Sequence, residues 1–435
     1  MPENRKLYMQ IYDYYKELIE SGRLEKGMRL PSIRRCAEER GVSRTTVEQA
    51  YMCLCDDGYT VPKSQSGYYV AKRSETASPY ENRQRTEKRK NEILYDFSSA
   101  GVDAESFDMH IWRRYVKSAL RHSEELLFYG EPQGEYELRC EIAKYARQTR
   151  NCVCDENSIV IGAGVQTLLN ILCPLIKGKK TVSFDDMSYK QGIAVFRDYG
   201  YRIFNDREKS NVLYVSPSYS TRWGDTMSVD ERFELTETAR KSGKLIIEDD
   251  YGSEFRYFNR PTPSLQGLDG GENTVYLGTF SKLLLPSIRI SFMILPKSLI
   301  GEYEKRREVY NQTVSKADQI ALCSYMRDGH LNSQIRKSRK LYSQKSKQLT
   351  DILMSQFGEK IEICKTNSPL YVKCNIYCGM TTAELCRKAE RSGFLLIPAG
   401  ENEDFAQIAF SVSAVGSGHF ENAVKTLKKL ADSGE

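Results

Sequence analysis

A lysine in an apolar stretch of the sequence has the clearest chemical potential. Lys282 lies between Phe280 and the run Leu283-Leu284-Leu285-Pro286. Burial among apolar side chains disfavours a charged ammonium, so such a lysine can carry a neutral amine. A neutral amine adds to aldehydes and forms imines. The alternative is that Lys282 extends into solvent, which is the ordinary behaviour of a single lysine.

Two more groups of polar residues follow predicted strands. Asp249, Asp250 and Tyr251 come after the strand-like run 244–248, which places two carboxylates and a phenol at one strand end. The turn Gly162-Ala163-Gly164-Val165-Gln166 follows another strand and precedes a helix-like segment. The first N–H groups of such a helix favour an anion. Glycine-rich turns of this kind are common, so this turn alone is weak evidence for a phosphate site.

Strand-like runs alternate with longer helical segments from Tyr95 onward. The apolar, β-rich runs are residues 158–162, 181–184, 211–216, 244–248, 273–278 and 288–295. This alternation predicts a largely parallel sheet covered by helices on both faces. Ligand groups of such sheets lie in loops at the carboxyl ends of the strands. The lysine, the carboxylates and the glycine turn are therefore expected to meet at one edge of the sheet.

The first 70 residues predict three helices and a short hairpin. Apolar residues recur at three- and four-residue spacing from Leu7 to Ile19, Gly41 ends the second helix, and Ser43 can cap the third. Two strands are predicted at 59–63 and 67–70. Helix, short turn and helix is a DNA-binding arrangement, in which the start of the third helix contacts phosphates and a base edge. The alternative is a capped surface helix without a ligand.

Composition restricts the remaining possibilities. The net charge of +6 over 435 residues does not by itself indicate nucleic-acid binding. Residues from about 71 to 91 lack large aliphatic side chains and predict a linker, whose basic residues either contact phosphates or keep the spacer solvated. The sequence predicts no membrane span and no signal peptide, so we expect a cytoplasmic protein whose 12 cysteines are thiols. Cysteine spacing and only 4 histidines argue against a zinc site.

Several motifs resemble those of known families. The segments Leu30-Pro31-Ser32-Ile33-Arg34, Val42-Ser43-Arg44-Thr45-Thr46-Val47 and Gly67-Tyr68-Tyr69-Val70 resemble the GntR type of winged helix-turn-helix. Residues 129–134, residues 247–257, and Leu277-Gly278-Thr279-Phe280-Ser281-Lys282 through Pro286 and Arg289 resemble the aspartate aminotransferase type of pyridoxal phosphate (PLP) fold. The whole chain resembles the MocR subfamily of GntR regulators, in which a winged helix is joined by a linker to an aminotransferase-like domain.

The resemblance implies a fold class and domain boundaries. We expect an α/β protein with a winged helix-turn-helix at residues 1–73 and a charged linker at 74–92. Residues 93–435 would form a fold type I PLP domain with a mostly parallel seven-stranded sheet and a smaller C-terminal subdomain. That domain would bind the effector and form a homodimer.

The resemblance also implies roles for individual residues. Lys282 would form a Schiff base with PLP, Asp249 would pair with the pyridine nitrogen, and Tyr251 would donate to the ring hydroxyl. Tyr189 would stack on the ring. The phosphate would be held by Ala163, Gly164, Ser281 and Arg289, and by Tyr129 from the neighbouring subunit. The residues expected to bind DNA are Ser32, Arg34, Ser43, Arg44, Thr45, Thr46, Gly67 and Tyr68.

Two departures from the family pattern concern the effector. The family's His and Gln are missing from the segment 216–224, which carries Arg222 in place of a proline. Gln407 stands where the family has an arginine that binds the α-carboxylate of an amino acid. A bidentate arginine–carboxylate contact contributes roughly 1.5–3 kcal/mol, and a glutamine cannot replace it. Ordinary amino-acid transamination is therefore disfavoured.

Three explanations of these departures remain open at this point. Arg222 could replace the missing arginine from another direction, the effector could lack an α-carboxylate, or PLP itself could be the signal. Arg222 and Gln407 are accordingly the candidate effector-binding residues.

The sequence thus predicts a PLP-binding transcription regulator that is not primarily an enzyme. Its partners would be a double-stranded DNA operator and a small effector, either PLP or a small amine or amino acid, with no metal and no membrane. One alternative is a working PLP-dependent aminotransferase with an appended DNA-binding domain. Another is a DNA-binding protein whose large domain is a cofactor-free dimerisation scaffold.

Overall fold

The computed structural model describes residues 6–63, 66–71, 93–98, 101–178, 180–219, 225–255 and 262–433. The chain divides into two compact units, residues 1–90 and 91–435, and each has its own hydrophobic core. The predicted linker at 74–92 and the candidate effector residue Arg222 lie outside the described residues.

The small unit contains three helices and a two-stranded antiparallel hairpin. These are α1 (Leu7–Glu20), α2 (Ile33–Arg40), α3 (Arg44–Asp56), β1 (Thr60–Lys63) and β2 (Gly67–Val70). Helix α2 ends at Gly41, whose φ of 64° is a left-handed conformation that glycine adopts without strain. The core is rich in tyrosine, and Tyr15 packs edge-to-face on Tyr51 at 5.5 Å. The predicted helix-turn-helix with a wing is confirmed.

The large unit alternates strands and helices, as the sequence predicts. Its helices are α4 (Met109–Ala119), α5 (Ser123–Leu126), α6 (Tyr136–Arg150), α7 (Val165–Leu172), α8 (Lys190–Asp198), α9 (Val229–Lys241), α10 (Leu265–Leu268), α11 (Lys297–Glu304), α12 (Lys316–Arg327), α13 (His330–Phe357), α14 (Thr382–Arg391) and α15 (Phe420–Asp432). Its strands are β3 (Tyr95–Asp96), β4 (Ile159–Gly162), β5 (Thr181–Phe184), β6 (Arg202–Phe204), β7 (Val212–Val215), β8 (Leu245–Asp250), β9 (Thr274–Thr279), β10 (Ser291–Ile294), β11 (Ile361–Cys364), β12 (Tyr371–Ile376), β13 (Phe394–Leu395), β14 (Ile397–Gly400) and β15 (Ala406–Ser411).

The central sheet of the described chain has seven strands in the order β4-β10-β9-β8-β7-β5-β6. Only β10 runs antiparallel to its neighbours, so the predicted mostly parallel seven-stranded sheet is confirmed. Strands β7, β8 and β9 are adjacent and parallel, and their carboxyl ends meet at one edge. That edge is where an open α/β sheet places its ligand groups.

Two predicted strand boundaries are wrong. Strand β8 continues through Asp249 and Asp250, which were expected in the loop after it. Strand β10 begins at Ser291, three residues later than predicted, because residues 286–288 form a 3-10 turn and Arg289 adopts a φ of 57°. In both cases hydrogen bonding to neighbouring strands, rather than the apolar pattern, sets the boundary.

A smaller C-terminal subdomain contains a four-stranded antiparallel sheet in the order β11-β12-β15-β14. The first strand of the large unit, β3, pairs in parallel with β13 of this subdomain. The chain therefore enters the large unit through its C-terminal subdomain.

Candidate cofactor site and DNA-binding surface

Strand β8 carries three consecutive carboxylates that point to opposite faces of the sheet. Side chains alternate along a strand, so Glu248 and Asp250 share one face and Asp249 lies on the other. On the first face, the Arg150 guanidinium donates from Nε to Asp250 Oδ2 at 2.6 Å. Tyr276 also donates its hydroxyl to this carboxylate, at 2.5 Å. Burial alone would raise the pKa of Asp250, but the Arg150 charge and the hydroxyl donors lower it.

Glu248 is fully buried beside Asp250 and is less well compensated. Its Oε2 accepts the backbone N–H of Gln266 at 3.0 Å, while Arg150 and Arg232 lie 3.8 and 4.0 Å from Oε1. Burial raises the pKa of Glu248 to about 7, and the two guanidinium charges offset only part of this effect. This face of β8 is a buried, structural charge network.

Asp249 meets different neighbours on the opposite face. The Tyr214 hydroxyl, from the adjacent strand β7, donates to Asp249 Oδ2 at 2.6 Å. Burial raises the pKa of Asp249 to about 6, the Tyr214 hydrogen bond acts against this rise, and the charge of Asp250 adds to it. Asp249 also lines a cleft whose other residues are Asp185, Asp186, Tyr189, Tyr214, Ser216 and Tyr219. This carboxylate is therefore the one that a ligand can reach.

Lys282 follows strand β9, the other neighbour of β8. Its side chain is only 6% exposed, and its Nζ lies 5.5 Å from the centre of the Tyr251 ring. Burial lowers the pKa of Lys282 to about 8. Within the described chain, no carboxylate oxygen lies within 4.0 Å of its amine, so burial is not compensated by an ion pair. The amine does not reach into bulk solvent, and a pKa of about 8 leaves roughly a tenth of it neutral at pH 7, far more than for an ordinary lysine.

An anion cradle lies at the start of helix α7. Gly164 is the residue before the helix and has a φ of 95°. The Arg289 guanidinium lies so close that a Cβ at position 164 would be 2.3 Å from its Nη2. Only glycine fits both the backbone conformation and this close approach. The cradle combines a guanidinium with the N-terminal N–H groups of a helix, which is a favourable arrangement for a phosphate.

Two other predicted phosphate ligands have partners within the protein. The backbone N–H of Ala163 donates to Thr313 Oγ1 at 3.0 Å. Ser281 Oγ accepts the Thr279 hydroxyl at 3.2 Å. The Ser281 hydroxyl retains its own proton for a ligand, whereas the Ala163 N–H is already used.

Aromatic side chains form the walls of the cleft. Tyr189 stacks on Tyr214 with ring centres 5.6 Å apart. Tyr251 lies edge-to-face with Tyr219 at 5.8 Å. The Tyr219 hydroxyl hydrogen-bonds the Ser368 hydroxyl at 2.6 Å, so Tyr219 joins the cleft to the segment that precedes β12 of the C-terminal subdomain.

The candidate effector residue Gln407 lies in a ladder of polar side chains across the C-terminal sheet. Its Nε2 donates to Asn375 Oδ1 at 2.9 Å, and Asn375 Nδ2 donates to Glu362 Oε2 at 2.8 Å. A carboxylate thus ends the ladder that Gln407 begins. Such an arrangement does not compensate the charge of a second carboxylate.

Tyr129 is fully exposed on the large unit, in keeping with its expected contact to a second subunit. Leu127 and Phe128 beside it are 82% and 73% exposed. Three consecutive large side chains with this exposure form an apolar segment, defined here as residues 127–129.

The predicted DNA-binding residues divide into capping groups and exposed groups. Ser32 caps α2 by accepting the Arg35 N–H, and Ser43 caps α3 by accepting the Thr46 N–H, both at 3.2 Å. The Thr46 hydroxyl hydrogen-bonds the Ser43 hydroxyl at 2.7 Å. These groups shape the helix starts.

The remaining predicted DNA-binding residues lie around the third helix and the wing. Arg44 and Thr45 are exposed in the first turn of α3. Arg34 is exposed but pairs with Glu38 at 3.0 Å. Gly67, with a φ of 99°, begins the second wing strand, and Tyr68 packs edge-to-face on Tyr51 at 5.2 Å. Arg44 and Thr45 are therefore the best placed for a nucleic acid.

Comparison with known proteins identifies the family. The model of the gntR family of bacterial regulatory proteins matches residues 7–70, and that of class I and II aminotransferases matches residues 102–212. The HTH-type transcriptional regulator YdeL of Bacillus subtilis is 35% identical, over 98% of this chain and 96% of its own. The probable rhizopine catabolism regulatory protein MocR of Rhizobium meliloti is 26% identical, over 90% of this chain and 86% of its own. The chain belongs to the MocR subfamily of GntR transcriptional regulators.

Solved structures agree with this MocR-type assignment for the large unit. The kynurenine aminotransferase of Pyrococcus horikoshii, crystallised with PMP, has a TM-score of 0.67 and 20% identity, covering 79% of this chain and 92% of that one. An archaeal alanine:glyoxylate aminotransferase has a TM-score of 0.69 and the same identity and coverage. The predicted fold type I class is confirmed. No helix of the described residues is long and apolar enough to span a bilayer.

Three residues that shape the site were not among those predicted from the sequence. Tyr214 and Arg150 decide which carboxylate of β8 is available. Gly192 leaves the space that Tyr189 occupies, because a Cβ at 192 would lie 2.2 Å from the Tyr189 ring. A signal existed for Tyr214, a polar aromatic in an apolar strand, and for Gly192, a glycine inside a helix. No local signal distinguishes Arg150 from the other arginines.

Proposed function

We propose that this MocR-type regulator binds PLP in the cleft at the carboxyl edge of the central sheet, and that occupancy of the cleft changes its binding to double-stranded DNA. The observation that carries the proposal is the buried amine of Lys282, which has no ion-pair partner within the described chain. The cradle formed by Gly164 and Arg289 supports it, because a side chain at position 164 would fill the space.

Each part of PLP has a matching group. When bound, PLP supplies an aldehyde that a lysine amine can capture and a ring that absorbs visible light. Lys282 would hold the aldehyde carbon, Asp249 the ring nitrogen and Tyr251 the ring hydroxyl. Tyr189 would cover one ring face. The phosphate would be held by Gly164, Ser281 and Arg289, with Ala163 closing the turn and Tyr129 reaching across from a second subunit.

The large unit is proposed to sense ligands rather than to turn over amino acids. Gln407 replaces the arginine that the family uses for an α-carboxylate, and its amide is engaged by Asn375 beside Glu362. A carboxylate ligand would gain no charge-assisted contact there. The effector is thus PLP itself or a small amine that does not depend on an α-carboxylate contact with Gln407.

A chain of hydrogen bonds offers a route from the cleft towards the linker. Ser368, which bonds the Tyr219 hydroxyl, also accepts the backbone N–H of Leu370 at 3.3 Å. The Leu370 carbonyl accepts the Val412 N–H at 3.0 Å. The neighbouring Ser411 donates its N–H to the Phe97 carbonyl at 2.8 Å. Phe97 lies within a few residues of the predicted linker, so a shift of the Ser368 segment on ligand binding would reach the start of the large unit.

A homodimer is part of the proposal. The apolar segment 127–129 is exposed over three consecutive residues, and a second copy would cover it and contribute Tyr129 to the neighbouring phosphate cradle. Two winged helices on one dimer would read two half-sites of an operator.

A spectroscopic experiment tests the cofactor. Full-length protein is mixed with PLP, and the visible band is compared in wild type, Lys282→Ala and the control Lys297→Ala, which removes an exposed lysine paired with Glu272. We expect a band in wild type and in the control, and none in Lys282→Ala. Equal bands in all three, or none in wild type, would refute the site.

A binding experiment tests the regulation. Operator duplexes are selected from a random pool with the full-length protein, and their affinity is measured by fluorescence anisotropy with and without PLP and small amines. We expect PLP or an amine to change wild-type affinity by at least fivefold, and Lys282→Ala to abolish the change. Arg44→Ala should weaken operator binding tenfold or more while leaving the visible band intact. Sustained keto-acid production from amino acids would instead favour the enzyme alternative.

A further inference from the structure

Asp249 and Asp250 are neighbours in one strand but are held by different kinds of donor. Asp250 is paired with a guanidinium at 2.6 Å. Asp249 accepts a phenol at 2.6 Å and, within the described chain, forms no ion pair with a Lys, Arg or His. A guanidinium neutralises a carboxylate, whereas a phenol donates a hydrogen bond and leaves the negative charge in place.

Tyr214 is fixed where it donates. On one side its ring stacks on Phe184, with ring centres 4.7 Å apart and planes 25° apart. On the other side it stacks on Tyr189 at 5.6 Å. Its backbone is paired in register with Phe184 on β5 and with Ile247 on β8, so both neighbouring strands hold it. The hydroxyl therefore cannot move away from Asp249 without breaking the aromatic stack.

Among the described residues, no Lys, Arg or His nitrogen lies within 4.0 Å of the Asp249 carboxylate, so Lys282 and Arg289 of the proposed site do not form an ion pair with it. The remaining ionisable groups around Asp249 are neutral or acidic. They are Tyr189, Tyr214 and Tyr251 among the phenols, and Asp185, Asp186 and Asp250 among the carboxylates. Asp185 is itself paired with Arg207 at 2.5 Å. A cation entering beside Asp249 would thus meet a carboxylate whose charge is not already compensated.

We propose that Tyr214 is a positioning residue that keeps Asp249 charged without neutralising it, so that this carboxylate pairs with a cationic ring nitrogen. The inference rests on the proposed PLP site and assigns a role to a cleft residue that the family resemblance did not include. Removal of the phenol makes the carboxylate a stronger base, because a donor that favoured the charged form is lost. The proton shared between the carboxylate and the ring is then retained to higher pH.

The test is the pH profile of the visible band in the PLP-loaded protein. In Tyr214→Phe we expect the band to remain and its pH midpoint to move upward by roughly one unit, the size of one hydrogen bond to a charged group. The matched control is Tyr201→Phe. Tyr201 belongs to the same aromatic cluster, since it contacts Phe196 at 5.1 Å, but its hydroxyl donates to the Cys173 carbonyl at 3.3 Å.

A second measurement separates this role from a general loss of packing. In an Asp249→Asn background the Tyr214→Phe change should no longer move the midpoint, because its target is gone. An unchanged midpoint in Tyr214→Phe, an equal shift in Tyr201→Phe, or a shift that persists in the Asp249→Asn background would each overturn the inference. Absence of any band in wild type would instead refute the proposed PLP site, so the two failures are distinguishable.

Discussion

The two faces of strand β8 hold their buried carboxylates with different partners. On one face Asp250 is buried against Arg150 and its charge stabilises the fold, while Glu248 beside it lies 3.8 and 4.0 Å from Arg150 and Arg232 and keeps a raised pKa. On the other face Asp249 meets a phenol and a cleft. The pKa of Asp250 is lowered and that of Asp249 is raised to about 6. The charge of Asp250 therefore stabilises the fold, whereas a charged Asp249 costs stability and lies in a cleft, which makes it the candidate functional carboxylate.

The largest effect is expected from Arg150→Leu. The change leaves Asp250 buried without a guanidinium and Glu248 with Arg232 alone, and breaking a buried ion pair in this way costs about 3–5 kcal/mol. Chemical denaturation should show this loss in the free energy of unfolding. The control is Arg147→Leu on the same helix, whose exposed side chain donates to the Cys154 carbonyl and whose loss should cost less than about 1 kcal/mol. Equal losses of unfolding free energy in the two variants would contradict the structural role of Arg150.

Asp250→Asn should destabilise the protein by about 3 kcal/mol at pH 7, because Arg150 loses its closest partner. The pKa of Asp250 is lowered in the fold, so its contribution is present above the unfolded pKa and is lost as pH falls through the folded pKa. The deficit of the variant should therefore shrink on acidification. Asp432→Asn, which removes an exposed partner of Lys360, serves as the control and should change stability by less than about 1 kcal/mol.

Asp249→Asn should change the free energy of unfolding in the opposite direction and stabilise the protein. The pKa of Asp249 is raised from 3.8 to about 6, so between these values the folded state keeps a proton that the unfolded chain releases. Wild-type stability therefore falls as pH rises through this window, and the asparagine removes the fall. We expect the PLP-free variant to be more stable by about 1–3 kcal/mol above about pH 6, with no difference below about pH 4. If Asp249→Asn destabilised the protein at pH 7, the contrast between Asp249 and Asp250 would be contradicted.

The smallest effect on stability is expected from Gly192→Ala, which acts on the Asp249 face alone. The new methyl group would lie 2.2 Å from the Tyr189 ring and displace it from Tyr214. PLP affinity should fall about tenfold, measured by titration of the visible band, with a change in stability of about 1 kcal/mol. Gly301→Ala in α11 is the control, because its Cβ would meet no atom within 4 Å. That variant should keep full affinity and gain about 0.5–1 kcal/mol from helix propensity.

Much of the architecture follows from local patterns. Six apolar runs predict six strands of the central sheet, whereas the seventh, β6, was implied only by the family resemblance; Ser43 before Arg44 predicts the start of the third helix. Strand ends are predicted less well. The strand carrying Asp249 and Asp250 continues two residues further than its apolar pattern, because hydrogen bonds to β9 extend to Asp250. Polar residues are compatible with a strand when partners across the sheet satisfy them, and the local sequence does not contain those partners.

The candidate site shows the same division. The sequence alone predicts several features of the site, because each depends on residue types a few positions apart. They are Lys282 in its apolar run, the carboxylates of 248–250 and the glycine turn at 162–164. The engagement of Gln407 by Asn375, and of Tyr219 by Ser368, joins residues far apart in the chain. These contacts can be identified only from the tertiary structure.

What the sequence determined by itself is that three carboxylates follow one another at the end of a predicted strand. That all three belong to the strand, with Asp249 on the face opposite Glu248 and Asp250, emerged only from the fold. Which face is structural was decided by tertiary structure, because Arg150 reaches Asp250 from 100 positions away and Tyr214 reaches Asp249 from 35. Coulombic compensation depends on distance in space, and no spacing along the chain encodes it. The sequence contains the three carboxylates, and the tertiary structure leaves Asp249 as the one that a ligand can reach.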